Sequence, residues 1–139
     1  MLATADVFKR WFRAAAIYNF VWGLSALVWP QAFFSMTRMD QPNYPVLWQV
    51  VGMFVLVFAP AYAWAARDPF RFRQIIFIGF LGKFFGLVGY VWYASRGALP
   101  PIFGVTILTN DLIWLPAFYL FLARAAKEVG GWTRLAAGV

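Results

Sequence analysis

The 139-residue sequence has no cysteine and no histidine. The first absence excludes disulfides, thiolate nucleophiles and iron–sulfur ligation. The second excludes histidine-ligated haem and histidine-based zinc sites. Together they remove every Ser-His or Cys-His catalytic arrangement. Acidic groups are nearly missing too. There are five Asp and Glu in all, and only Asp111 falls inside an apolar run. A carboxylate-bridged metal pair is therefore not expected, and no cofactor or metal is predicted. Charged residues make up only 12% of the chain, about half of what a soluble domain carries.

What is present is apolar and aromatic. Hydrophobic residues make up 63%, aromatics 22% with eight Trp, and the mean hydropathy is +0.69. This predicts one small membrane domain and not a soluble core, with the lipid bilayer as its first partner. The net charge of +7 could suggest nucleic acid. The basic residues flank apolar segments, however, and no recognition motif accompanies them, so no nucleic-acid partner is expected. Anchoring to anionic lipid is the simpler account.

Four apolar runs predict an all-α, integral membrane four-helix bundle. It forms a single domain over 1–139, with spans at about 12–29, 46–66, 74–94 and 102–123. The polar start over 1–13 resembles the n-region of a signal peptide. The run that follows is long for an h-region and lacks a clear small-x-small site before Pro30, so it reads as a retained helix. Pro30, Pro42 and Pro45 oppose a continuous helix through 30–45. That stretch reads either as a short interfacial segment between helices 1 and 2 or as an ordered loop capping the bundle. Pro60 is expected to free the Leu56 carbonyl and kink the second span. Residues 67–73 and 95–101 read as turns, and 124–139 as a polar tail.

The basic residues set the orientation. With four spans, Lys9, Arg10, Arg13, Arg67, Arg71, Arg73, Arg124, Lys127 and Arg134 share one side, leaving Arg38 and Arg96 on the other. This asymmetry predicts both termini cytoplasmic. Trp29, Tyr44, Trp48, Trp92 and Tyr93 then form an outer aromatic belt, and Trp11, Trp64 and Trp132 an inner one.

The third span carries a single formal charge, Lys83, near its middle. A cation at such depth costs about 3 kcal/mol on insertion scales unless something offsets it. Asp111 in the antiparallel fourth span falls at a similar depth, and a Lys83–Asp111 pair would neutralise both charges. Asn19 lies near the same level. The expected polar layer is Asn19, Lys83 and Asp111, with Asn110, Tyr90 or Gln49 as additions. It serves either to fix helix register, to bind a ligand or headgroup, or to handle protons or ions. Trp114 is expected to hydrogen-bond Asp111 or a freed carbonyl, or simply to fill space. Gly79, Gly82, Gly86 and Gly89 form a stripe along the third span, read chiefly as a helix-packing face. No catalytic residue is expected.

Five segments, YNFVWG (18–23), NYPVLWQVVGM (43–53), ARDPFR (66–71), GFLGKFFG (79–86) and TNDLIWLPAF (109–118), together resemble the pattern of small bacterial DoxX-like four-helix membrane proteins. The resemblance covers about 18–121. It implies a multi-pass protein of the bacterial inner (cytoplasmic) membrane. Better-known relatives are membrane partners of redox or oxidative-stress complexes; the lack of Cys argues against a thiol-based version of that role here. The leading expectation is a non-enzymatic accessory or subunit protein that binds a partner helix, lipid or quinone-like molecule, or forms a homo-oligomer. The alternatives are a small proton-linked transporter using the intramembrane Lys-Asp pair, and an enzyme of lipid or isoprenoid chemistry with Asp111 as general acid or base.

Overall fold

The computed structural model describes residues 5–139, so part of the polar start expected over 1–13, residues 1–4, lies outside the described residues. Every regular element among the described residues is helical. The order is α1 (Ala5–Val28), α2 (Pro30–Thr37), α3 (Pro45–Arg67), α4 (Arg73–Ala94), a 3₁₀ turn (Pro101–Phe103), α5 (Gly104–Ile107), a π-helical turn (Leu108–Leu112), α6 (Leu115–Val129) and α7 (Trp132–Ala137). The prolines act as starts: Pro30, Pro45 and Pro101 each open an element, where a missing N–H leaves no intrahelical bond unmade. Pro60 instead lies inside α3.

Three helices are long and apolar enough to cross a membrane: α3, α4 and the composite Pro101–Val129. α1 stands apart because Asp6, Lys9, Arg10 and Arg13 occupy its first half. Its apolar part is only about 22 Å long at 1.5 Å per residue.

α1 lies along α3 in antiparallel contact, and glycine permits the closeness. A Cβ added to Gly23 would stand 2.7 Å from the Gly52 carbonyl oxygen and 2.7 Å from the Leu56 nitrogen. One added to Gly52 would meet the Ala26 Cβ at 2.7 Å. Farther along, Gln49 Nε2 donates to the Leu27 carbonyl at 2.8 Å and so satisfies the end of α1. Gln49 is therefore a helix cap and stands outside the polar layer.

The main core lies at the opposite end. Phe8 and Phe12 from α1 meet Phe118 and Phe121 from α6 edge-on, with ring centroids 5.2–5.4 Å apart. Tyr62, Ala65 and Ile76 complete it, all but excluded from solvent. Edge-to-face rings of this kind add about 0.5–1.5 kcal/mol per pair beyond area burial. This end also carries the nine basic residues that flank the apolar runs.

The expected polar tail is corrected here. α6 runs on to Val129, and Gly130 (φ 90°) and Gly131 (φ 129°) turn the chain back into α7. Leu135 is then fully buried in the aromatic core. Arg134 and the small residues around Leu135 hide its apolar role in the sequence. The 30–45 stretch contains a two-turn helix, α2, closed by Arg38 in the left-handed conformation (φ 54°). α2 presses Phe33 and Phe34 against Trp48, so that ring is half-buried in a second aromatic cluster.

Candidate functional site

The site begins with an irregularity in the fourth long helix. Over Leu108–Leu112 the helix widens to a π turn, just before Pro116. Ile113 N bonds back to the Leu108 carbonyl (3.1 Å) and Trp114 N to the Asp111 carbonyl (3.2 Å). In a regular helix these two amides would serve Thr109 and Asn110. Two consecutive carbonyls are thereby freed, and side chains take both. The Trp114 indole Nε1 donates to the Thr109 oxygen at 2.8 Å. Lys83 Nζ, from the middle of α4, donates to the Asn110 oxygen at 2.6 Å.

This arrangement explains how Lys83 tolerates being 5% exposed. A hydrogen bond to a charged donor is worth about 1.5–3 kcal/mol. The ammonium also lies 5.9 Å from the ring centres of both Trp114 and Phe118, each cation–π contact adding about 0.5–2 kcal/mol. These terms are of the size needed to offset the cost of placing a cation at that depth.

The expected direct Lys83–Asp111 ion pair does not form. The ammonium's bond goes to the backbone one residue earlier. Asp111, 5% exposed, accepts instead from Asn110 Nδ2 on Oδ1 at 3.1 Å. Its other oxygen faces α4, 2.9 Å from where a Gly86 Cβ would lie. Depth along a helix is legible from residue count; the π turn that offers Lys83 a carbonyl instead is not.

Lys83, Asn110, Asp111 and Asn19 nevertheless line one pocket of about 190 Å³ between α3 and α4. Asn19 Nδ2 donates to the Val55 carbonyl at 3.2 Å, close to the carbonyl expected to be freed by Pro60. Both amide groups are fixed by these bonds, because each NH₂ has an acceptor. The Asn19 and Asn110 Oδ1 atoms are buried without a donor. Tyr62 lines the same pocket, and its hydroxyl approaches Gly79 so closely that any side chain at 79 would collide with it. Phe54 and Ile78 stand at the rim, 62% and 56% exposed. The pocket is thus polar inside and apolar at its mouth, about 15 Å from either end of α4.

The other expected site residues fall elsewhere. Tyr90 lies two turns beyond Lys83, stacked on Phe103 with its hydroxyl against Gly104, outside the pocket. Trp114 is behind the pocket, wedged between Trp11 and Tyr18. The glycine stripe divides. Gly79 and Gly86 make close approaches to Tyr62 and Asp111, whereas a Cβ on Gly82 or Gly89 would meet nothing within 4 Å. Gly82 forms part of the pocket wall. Missed by sequence reasoning were Tyr62, Phe54 and Ile78. Only Tyr62 had any signal, a hydroxyl near the Arg67 end of a largely apolar helix. Tyr18 was missed as well: its hydroxyl donates to Thr109 Oγ1 at 3.1 Å and ties α1 to the π turn. No family model, curated protein or solved structure matches the chain.

Proposed function

We propose that this chain is a four-span protein of the bacterial inner membrane, DoxX-like in type, with both termini on the cytoplasmic side. It acts as an accessory or subunit protein that holds a lipid-like amphiphile in the pocket between α3 and α4. The observation that carries this reading is the pocket itself: Lys83, Asp111 and Asn19 inside, Phe54 and Ile78 exposed at the mouth, halfway along two helices long enough to span. A site entered at that depth is reached from the hydrocarbon, so its ligand carries an apolar chain and a polar head.

The crossing of α1 is supported by its packing. Phe8 and Phe12 meet α6 at the basic end, while Gly23 and Ala26 meet Gly52 near the other end of α3. A helix running the length of α3 crosses wherever α3 crosses. Its short apolar part is compatible with spanning because Trp11 and the basic residues sit at headgroup level.

Extraction in mild detergent followed by native mass spectrometry tests the ligand reading. Retention of a stoichiometric small amphiphile supports it; a clean, lipid-free monomer overturns it. A second reading, proton-linked transport, has one observation in its favour. An ammonium and a carboxyl group share a buried pocket without being bonded to each other. Flux into liposomes that is unchanged by Lys83→Met eliminates it.

A further inference from the structure

The polar inventory of the pocket restricts the head of its ligand. On the donor side, Lys83 has N–H groups left after its bond to Asn110, and the Tyr62 hydroxyl donates to no described group. On the acceptor side, Asp111 Oδ2 receives no donor from the described residues; the Asn19 and Asn110 Oδ1 atoms are sealed too tightly for a hydroxyl to reach them. A head that only accepts, such as an ester or ketone, answers Lys83 and Tyr62 but leaves the Asp111 oxygen unmet. Leaving a buried acceptor unsatisfied is what costs affinity, more than the bond itself gains. An anionic head brings its charge against Asp111, and a cationic head against Lys83. Ammonium and carboxyl side by side select a head with no net charge.

Size narrows the class further. An apolar cavity of about 150 Å³ takes up benzene, so the roughly 190 Å³ here admits a head of about six non-hydrogen atoms. We infer that the pocket binds a neutral, hydroxyl-bearing head on a single alkyl chain, of the monoacylglycerol type. Its hydroxyls donate to Asp111 and accept from Lys83 and Tyr62, and its chain leaves past Phe54 and Ile78. This rests on the amphiphile-pocket reading above and specifies its ligand.

Gly82 supplies the test. A Cβ there meets no atom within 4 Å, yet the residue forms the pocket wall. Gly82→Leu adds bulk at the pocket wall from a Cβ position that is free of contact. Gly89→Leu, equally open but outside the pocket, is the control. The full chain in phosphatidylcholine nanodiscs is titrated with radiolabelled 1-monooleoylglycerol, methyl oleate and oleate, three heads on one chain. Circular dichroism confirms that each variant is folded. The expected result is saturable binding of monooleoylglycerol about tenfold tighter than either competitor, lost in Gly82→Leu and kept in Gly89→Leu. Methyl oleate or oleate binding as tightly overturns the head-group inference and leaves the pocket reading standing. Saturable binding by none of the three, or binding indifferent to Gly82→Leu, overturns both.

Discussion

Lys83 shows how one residue's neighbours decide what its charge means. Its ammonium is tied to a backbone carbonyl that the π turn releases, not to the nearest acid. This ranks two substitutions that a direct ion pair would make equivalent. Lys83→Met removes the one side-chain donor that the described residues offer the Asn110 carbonyl and strands it in a buried site, a loss of about 1–3 kcal/mol. Asp111→Asn keeps an oxygen for Asn110 Nδ2 and strands nothing comparable. Unfolding in mixed micelles should therefore show Lys83→Met as the more damaging by about 1 kcal/mol. Equal losses, with strong coupling in the double variant, would restore the ion pair. Trp114→Phe acts at the other freed carbonyl. It keeps the ring contacts with Trp11 and Tyr18 but removes the donor to Thr109. About 1 kcal/mol of destabilisation is expected by the same measurement.

Among elements, the decisive fit is between α1 and α3, and it was not legible in the sequence. A helical repeat reveals which residues share a face; it does not reveal whether a partner stands opposite. The glycines of α4 repeat conspicuously, yet two of the four face open space. Gly23 and Gly52 are isolated in their own helices, with no pattern to mark them, yet each leaves room for the other's backbone. Gly23→Ala drives a methyl against main-chain atoms that cannot move aside, so about 1–3 kcal/mol is expected to be lost. Gly89→Ala should be within about 0.5 kcal/mol of the parent. If thermal unfolding in detergent ranks them the other way, the α1–α3 contact is wrong. The long helices themselves were readable, because apolar run length fixes them. So was the level of Lys83, Asp111 and Asn19, because rise per residue is constant. The π turn was not, since it exists only where tertiary contacts reward the two carbonyls it exposes. α7 escaped for a similar reason: Leu135 gains its burial from a reversal at Gly130 and Gly131 that only the finished core stabilises.

At the scale of the whole molecule, the prediction concerns how many times the chain crosses a membrane. Three helices qualify by length and hydropathy alone, while α1 carries four charges in its first half. Packing argues for the fourth crossing. α1, the end of α3, the start of α4 and the end of α6 meet in one aromatic core, and the flanking arginines and lysines gather there. Only Arg38 and Arg96 lie at the far end. The absence of native cysteine makes the question accessible with single exposed substitutions. Asp6→Cys and Thr133→Cys stand at the basic end; Asp40→Cys and Ser95→Cys stand at the opposite one. In intact spheroplasts an impermeant maleimide should label the Asp40 and Ser95 variants and reach the Asp6 and Thr133 variants only after lysis. A three-span chain, with α1 lying along the surface, would expose Asp6 together with Asp40. It would then have to break the Phe8 and Phe12 contacts with Phe121, exposing two of the most buried rings in the protein. At about 1.5–3 kcal/mol for each buried phenylalanine, that arrangement loses to the four-span one unless charge transfer across the bilayer costs more. In the proposed four-span arrangement the charges need no transfer, because that arrangement keeps them on the cytoplasmic side.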